Sequence, residues 1–511
     1  MGRAPFRVIK RQFGFVKVRD RGLADKTSQL TALFASLKIW ISPGPVDASS
    51  PTVGLPPRQV ECDSRYAMAH IISSLAWSAV IRILGVGTAF LVNVVLTRLL
   101  SVEDVGQYML AFSTVMFASI VMRLGIKQAT MKLASDARNQ GDQRVLRQTL
   151  LGVMRFGVIT TGIVAVVLIS GIADWVFVDV FDAPELADFS AWIVAWAAMI
   201  SLAAPIGESL RALHRPGWGV ALDMSAQSSF VFLVLWGAAF YYHNVSLQLV
   251  IKIWFFIALM VNLGGCVRLA RLIGFAGASF AEWISVASVF HFAWPILILN
   301  LSIFLMANAA LWVVSYFVGH DGAALYGIAL KLYNLIALPL LIINLALEPH
   351  IADYIHAGSK TRLEALLRLS ASLAFSLTAL ISIVLIFAGK WILELAFGQS
   401  YIAAYPILVI LIMGNVFNVL TGSCSSVLLL GGRRIWLSAV NAVAACAGII
   451  LALLLVPRWG GVGAALSTAT VVVGANAVMW WIVKKEFGVS SAASLVPWNH
   501  YTFLKRGEVA R

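Results

Sequence analysis

Residues 436–483 read WLSAVNAVAACAGIILALLLVPRWGGVGAALSTATVVVGANAVMWWIV, with Arg458 as the only charged residue. The stretch is long enough for two helices of about 20 residues, each able to cross a bilayer core about 30 Å thick. Similar apolar runs recur from residue 70 onward. Backbone groups in lipid must be hydrogen-bonded within their own segment, so such runs are helical. The alternating runs of a membrane β-barrel are not seen, and the sequence therefore predicts an all-α integral membrane protein.

The composition excludes an ordinary soluble protein. Of the 511 residues, 60% are hydrophobic and 12% are charged, and the mean hydropathy is +0.87. Soluble domains carry about 25% charged residues. The formal net charge of +14 would suggest nucleic acid in a soluble protein, but most basic residues here flank apolar runs, so membrane topology accounts for them. The four cysteines have no paired spacing, so we predict neither a disulfide framework nor a metal site.

About twelve membrane-spanning helices are predicted, and the distribution of Lys and Arg orients them. The loops on one side of the predicted membrane carry most of the basic residues, and that side is cytoplasmic under the positive-inside rule. Both termini are therefore expected in the cytoplasm. The predicted helices span residues 70–97, 106–126, 148–170, 189–207, 219–241, 248–268, 287–316, 323–347, 366–388, 403–421, 436–456 and 460–483.

The chain is expected to divide into two six-helix lobes with an extension at each end. Residues 1–66 are basic and rich in turn residues. They form either a cytoplasmic tail that touches anionic lipid or an over-extended start, with the true initiator at Met68. The remaining boundaries are 67–270 for the N-lobe, 271–286 for a cytoplasmic linker, 287–484 for the C-lobe and 485–511 for a cytoplasmic tail.

The two lobes show a weak internal repeat. Residues around Tyr108 (SVEDVGQYMLAF) match those around Tyr326 (GHDGAALYGIAL) at an offset of 218 residues, and Arg215 matches Arg433 at the same offset. Both copies begin on the cytoplasmic side, so the lobes are parallel repeats about an axis along the membrane normal. Such duplicated bundles are typical of transporters that alternate access to a central site. Tyr108 and Tyr326 are predicted to anchor outer helix ends at the membrane interface.

Several stretches resemble one transporter family. The stretches LTRLLSVEDVGQYML, RLGIKQATMKLAS, YGIALKLYNLIALPLLIINLALEPHIADY and LLLGGRRIWLSAVNAV are similar to polysaccharide and O-antigen flippases of the multidrug/oligosaccharidyl-lipid/polysaccharide exporter (MOP) superfamily. The resemblance covers about residues 70–485. It implies the two-lobe MATE-like fold and a flippase for an undecaprenyl-diphosphate-linked oligosaccharide, used for O-antigen, capsule or exopolysaccharide. Relatives that carry lipid II usually have fourteen helices, and the count here is about twelve.

Basic residues inside the predicted helices are candidates for binding the diphosphate. A charge near mid-bilayer costs roughly 2.5–3.5 kcal/mol on insertion scales and usually faces a cavity or a partner. Arginine suits bidentate phosphate contacts. The alternative is that these residues pack helices or extend to the headgroups. The predicted substrate-binding residues are Arg82, Lys331, Arg123, Arg155, Asn93 and Asn334.

Acidic residues in the predicted membrane region are few. Glu208 closes the fourth helix and Asp223 opens the fifth. Either could pair with Arg211 or Arg215 as a structural bridge, and the alternative is a role in coupling transport to a proton or sodium gradient. No cofactor is predicted beyond such coupling.

Three other functions agree less well with the sequence than a flippase does. An acidic central cavity would favour a cation-coupled multidrug antiporter of the same superfamily. A membrane polymerase or ligase would need a large outside loop with catalytic Arg or His, and the largest outside loop is short and acidic, so no enzyme is predicted. A channel agrees less well with the two-lobe repeat. The expected setting is a bacterial inner membrane, with a lipid-linked oligosaccharide, the bilayer, and polysaccharide polymerase or glycosyltransferases as partners, and no nucleic acid.

Overall fold

The computed structural model describes residues 84–139, 142–213, 216–241, 245–273 and 286–493. The described residues are mostly helical and contain no strand. The predicted extension at 1–66 lies outside them, as do Met68, Arg82, Arg215 and most of the predicted linker. The orientation in the membrane stays a prediction, and the term outer end is used for a helix end predicted to face away from the cytoplasm.

Seven main helices form the described part of the N-lobe. The short helices Pro184–Ala187 and Pro216–Ala221 connect some of them, and α4 continues through π-helical turns at Leu168–Ile172 and Val176–Val180. The main helices are α1 (Leu84–Leu99), α2 (Val102–Arg123), α3 (Ile126–Asn139), α4 (Gln143–Val167), α5 (Ser190–Ala212), α6 (Met224–Tyr241) and α7 (Leu247–Ile273).

Six main helices form the described part of the C-lobe. The last one is bent sharply where Gly460 takes φ 53° and ψ −135°, a conformation that glycine adopts with little strain. Shorter helical segments are Gln399–Ala404 and Cys424–Leu430. The main helices are α8 (Val286–Val318), α9 (His320–Ile336), α10 (Leu338–His356), α11 (Lys360–Phe397), α12 (Tyr405–Thr421) and α13 (Arg434–Phe487).

The number of apolar helices agrees with the sequence prediction. In the described residues, eight helices are long and apolar enough to cross a membrane, and α9 with the start of α10 forms a ninth span that is bent by 43°. The break at Gly460 divides the longest of the eight into two. Two shorter apolar helices, Leu84–Leu99 and Ala226–Ala239, complete the set. Counted in this way, the described part of the chain holds twelve apolar helices.

Local sequence explains why α2 begins and ends where it does. Ser101 caps its first turn, where the backbone N–H of Asp104 donates to the Ser101 hydroxyl at 3.1 Å, as expected for a serine at this position. Leu124 ends the helix in a left-handed conformation, and Gly125 follows with φ 75°. The chain then turns into α3. This fixes α2 as a helix of 22 residues, which contributes to both cavities described below.

The two lobes meet along α2 and α9. The outer ends of these helices approach closely because small residues face the partner helix: a Cβ added at Gly106 would overlap the carbonyl oxygen of His320, and one added at Gly327 would lie 2.7 Å from Met109 Cγ. The main hydrophobic core includes buried residues of both helices. Because Met109 and Gly327 are themselves separated by 218 residues, equivalent positions of the internal repeat meet at this contact.

The prediction that Tyr108 and Tyr326 anchor outer helix ends at the membrane interface is wrong. Tyr108 is 1% exposed and Tyr326 is 0% exposed. The Tyr326 hydroxyl lies 2.8 Å from Thr468 Oγ1 on α13. Both tyrosines are buried because neighbouring helices pack around them, so positions that would face lipid in isolated helices lie in the protein interior.

Further contacts join the lobes at their outer ends. Arg98, at the end of α1, donates to the backbone oxygens of Glu394 and Leu395 in the last turn of α11, at 3.3 and 2.5 Å. A cation is favourable at a helix C-terminus, where the last carbonyls lack partners. His320 Nε2 lies 3.1 Å from the Asp182 backbone oxygen. These contacts join the predicted outer ends of the two lobes.

Candidate functional site

A cavity of about 250 Å³ lies between the two lobes. Residues of α2 form the N-lobe wall, and residues of α8, α9 and α13 form the C-lobe wall. Ser113 lies about 17 Å along α2 from its first residue, at 1.5 Å per residue, which is near the middle of a bilayer core about 30 Å thick. The polar residues that line the cavity are Ser113, Asn308, Lys331, Tyr333, Asn334 and Thr468.

Lys331 makes this cavity cationic. It is the only charged residue among the described residues that line the cavity. Its Nζ lies 4.3 Å from the centroid of the Phe112 ring, and no described carboxylate lies within 4.0 Å of it. An aromatic face attracts an ammonium group through the ring quadrupole and leaves its charge in place. The cavity can therefore attract an anion.

A second cavity, of about 260 Å³, lies within the N-lobe. It adjoins the inner half of α2, together with α5, α6 and the short helix Pro216–Ala221. Arg123 in its wall lies 11 residues beyond Phe112, or about 17 Å along α2 at 1.5 Å per residue. The charged residues that line it are Arg123, Lys127, Glu208 and Asp223.

Most charges of the second cavity are paired with each other. Arg211 donates to Glu208 Oε1 at 2.6 Å, to Asp223 Oδ2 at 2.7 Å and to the backbone oxygen of Gly219 at 3.2 Å. Lys127 Nζ lies 3.8 Å from the Glu208 carboxylate and 3.9 Å from that of Asp223. Glycine at 219 leaves room for the Arg211 side chain. The contacts match the bridge to Arg211 that the sequence suggests, and they tie the end of α5 to the start of α6.

Among the described residues that line the second cavity, Arg123 has no ion pair and Gln227 has an unpaired hydrogen-bond acceptor. Arg123 donates to the backbone oxygen and the hydroxyl of Ser119, at 3.0 and 3.2 Å, and no described carboxylate lies within 4.0 Å of it. Gln227 is 1% exposed, and its Oε1 has no hydrogen-bond partner among the described residues. A buried acceptor of this kind normally bonds water or another group.

The predicted site residues fall into separate places. Lys331 and Asn334 line the central cavity, and Arg123 lines the second cavity. Asn93 is buried on α1, where its Nδ2 donates to the Ala89 backbone oxygen at 2.6 Å, and it lines neither cavity. Arg155 is exposed on α4 and also lines neither, while Arg82 lies outside the described residues.

Sequence reasoning missed the uncharged residues of the central cavity. The repeat could have identified Ser113, because it precedes Lys331 by the repeat offset of 218 residues. Asn308, Tyr333 and Thr468 give no comparable signal. Phe112 is one of 28 phenylalanines, and only the packing of the two lobes distinguishes it.

Comparison with protein families gives two matches. A family described as "polysaccharide biosynthesis protein" matches residues 71–355, which is more than half of the chain. The MatE family matches residues 295–454. No curated protein sequence matches the chain.

Several solved structures share the fold. An inward-facing multidrug resistance MATE family transporter of the MOP superfamily is 14% identical, with a TM-score of 0.66 over 80% of this chain and 98% of that one. The lipid II flippase MurJ in an inward closed conformation is 14% identical, with a TM-score of 0.62 over 81% and 89%. The Vibrio cholerae MATE transporter VcmN is 16% identical, with a TM-score of 0.55 over 81% and 98%. These likenesses confirm the predicted fold class.

Proposed function

The chain belongs to the polysaccharide biosynthesis protein family and is a multi-pass membrane transporter rather than an enzyme, and from this premise we propose that it flips an undecaprenyl-diphosphate-linked oligosaccharide. The substrate would move from the cytoplasmic to the outer leaflet of a bacterial inner membrane by alternating access. It would then serve surface polysaccharide synthesis, with glycosyltransferases before this step and a polymerase after it as partners.

The charge of the central cavity is the observation that carries this proposal. Among the described residues, the lining holds one ammonium group and no carboxylate. A diphosphate is an anion and gains charge-assisted hydrogen bonds from a lysine. The asparagine, tyrosine and hydroxyl side chains around Lys331 supply the neutral donors and acceptors that sugar hydroxyls require.

The same observation disfavours a cation-coupled multidrug antiporter. A cationic drug needs a carboxylate or an aromatic cage in its binding site. Glu208 and Asp223 line the second cavity and are already bridged by Arg211. We therefore keep the antiporter as the second candidate, supported by the likeness to MATE transporters in fold alone.

Arg123 and Lys127 suit an earlier position of the same diphosphate. They line the cavity nearer the predicted cytoplasmic side. The backbone positions of Arg123 and Phe112 are about 17 Å apart along α2 at 1.5 Å per residue, and Arg123 and Lys331 line different cavities. We propose that the headgroup meets the two cations in succession. A proton or sodium gradient could drive the cycle through Glu208 and Asp223, but their contacts with Arg211 favour a structural role.

Transport by purified protein in liposomes tests the proposal. The probe is a fluorescent undecaprenyl-diphosphate oligosaccharide, and its movement between leaflets is measured for wild type and for Lys331→Met. A hydrogen bond to a charged group contributes about 1.5–3 kcal/mol, so we expect Lys331→Met to slow flipping about tenfold or more. Repeating the assay with and without an imposed proton or sodium gradient tests coupling.

Lys252→Met is the matched control. Lys252 lies on α7, with its Nζ 5.4 Å from the centroid of the Trp192 ring, and it lines neither cavity. The Lys252→Met variant should flip substrate at the wild-type rate. Equal rates for Lys331→Met and wild type would remove Lys331 from the site. Absence of flipping by wild type, with export of an organic cation instead, would assign the protein to the antiporters.

A further inference from the structure

We propose that Phe112 is a positioning residue for Lys331, so that the phosphate site is assembled from both lobes. The inference rests on the proposed function, because it takes Lys331 to bind the diphosphate. Phe112 belongs to α2 of the N-lobe and Lys331 to α9 of the C-lobe, and both line the central cavity.

The Phe112 ring is held in place by other aromatic rings of the N-lobe. Its centroid lies 6.0 Å from that of Tyr108, 6.0 Å from that of Trp196 and 6.3 Å from that of Trp254. Trp196 and Trp254 are stacked on each other at 5.2 Å. Pairs at these separations are favourable, and the ring therefore presents a fixed surface to the ammonium group at 4.3 Å.

An aromatic partner suits an anion-binding lysine better than a carboxylate does. A carboxylate within ion-pair distance would cancel most of the ammonium charge that an approaching phosphate experiences. The face of Phe112 instead stabilises the ammonium group through its quadrupole, and the net charge remains. It also restricts the long lysine side chain, which lowers the entropy lost when a ligand binds. Phe112 thus keeps Lys331 both charged and oriented.

The contact crosses the boundary between the lobes and therefore depends on conformation. A hydrogen bond from Trp312 Nε1 on α8 to Ser113 Oγ on α2, at 2.8 Å, joins the same two walls. When the lobes separate along α2 and α9, Lys331 leaves the aromatic surface and its orientation is lost. The phosphate is then held less tightly, which favours release in the conformation that opens this contact.

A double-mutant cycle on ligand binding tests the inference. Farnesyl diphosphate serves as the probe, and its dissociation constant is measured by calorimetry on the purified full chain for wild type, Phe112→Leu, Lys331→Met and the double variant. We expect Phe112→Leu to weaken binding by about 2- to 30-fold, the range that a cation–π contact supplies. In the Lys331→Met background the same change should have no effect. Phe112→Tyr keeps the aromatic face and should bind like wild type.

Phe117→Leu is the matched control, because Phe117 lies on the same helix and contacts Trp312 and Phe304 rather than Lys331. The inference fails alone if wild-type binding depends on Lys331 but Phe112→Leu binds equally well. It also fails if Phe112→Leu weakens binding equally with and without Lys331. If wild type and Lys331→Met bind the probe equally, or neither binds it, the proposed function itself is contradicted, whatever the result for Phe112→Leu. Melting temperatures of all variants identify any that are simply unfolded.

Discussion

At the scale of single residues, the charged side chains that line the two cavities fall into two groups, those in ion pairs and those with neutral partners. The carboxylates of Glu208 and Asp223 are each within 4.0 Å of two cations. Lys331 and Arg123 instead contact neutral groups, an aromatic ring and a serine. A buried acid left without a cation is costly, whereas a basic group with neutral partners stays available to an anionic ligand. We therefore expect the first pair to stabilise the fold and the second to bind the substrate.

Removal of Arg211 should destabilise the protein severely. Arg211→Met leaves the carboxylates of Glu208 and Asp223 with only the longer contacts of Lys127, and breaking a buried ion pair costs about 3–5 kcal/mol. We expect a clear drop in the melting temperature in detergent and in the yield of folded protein. Arg433→Met is the control, because Arg433 pairs with Glu486 at 2.7 Å in a more exposed position, where such pairs contribute about 0–1 kcal/mol. Equal losses in both variants would contradict this assignment.

The sequence predicts only part of the site at this scale. Lys331 and Asn334 could be found because a charged or polar residue is conspicuous in an apolar helix. Arg155 has the same signal but lies on an exposed part of α4. Position along a helix shows how deep a side chain lies, but the face that meets the other lobe is set by packing, and this is why Phe112 escaped prediction.

At the scale of elements, the close packing of α2 on α9 depends on glycine. A Cβ added at Gly106 or at Gly327 would overlap atoms of the partner segment, and small residues allow such close approach in membrane helices. The Gly106 contact with His320 lies about one turn of α2 toward the outer end from Met109, which lines the central cavity. We therefore expect the pairing of these two helices to control access from the outside.

Gly106→Ala should favour a conformation that is open to the outside. The added methyl group overlaps the His320 carbonyl only while α2 and α9 are closed, and overpacking costs about 1–3 kcal/mol. The readout is the reaction of Ala307→Cys, in the central cavity, with a membrane-impermeant thiol reagent added outside, in a chain without its native cysteines. We expect the rate to rise roughly fivefold or more, because destabilising one state shifts the population to the other.

Gly87→Ala is the control for this experiment. Gly87 lies in α1, and a Cβ there would meet nothing within 4 Å, so the rate should not change. A rate with Gly106→Ala that matches wild type would mean that the outer contact does not limit access to the cavity.

At the scale of the whole molecule, most of the architecture was predictable. Hydropathy and length identify the spans because lipid leaves a chain few alternatives. Boundaries moved by several residues, and the loop predicted between residues 456 and 460 is instead a sharp bend at Gly460 within α13. The positions of Tyr108 and Tyr326 were misjudged because hydropathy treats each helix separately, whereas burial arises where two helices pack together.

The predicted orientation of the whole chain can be measured directly. In intact cells, an impermeant thiol reagent should label Glu185→Cys, which follows α4 on the predicted outer side, and should not label Arg434→Cys on the predicted cytoplasmic side. Both residues are exposed in the structure. Each variant is made in a chain without its native cysteines, and lysed cells provide the control in which both are labelled. If only Arg434→Cys is labelled in intact cells, the chain has the opposite orientation to the predicted one.

The pairing of Ser113 with Lys331 across the repeat has a consequence for the cargo. The sequence repeat pairs the two positions, but the described wall that carries Ser113 is neutral and the wall that carries Lys331 is positive. An anion that enters is drawn to one wall, and whatever is attached to it must extend toward the other. The cavity thereby selects one orientation of the headgroup. In that orientation the phosphate meets the ammonium group of Lys331, and in the opposite orientation it meets only the hydroxyl of Ser113.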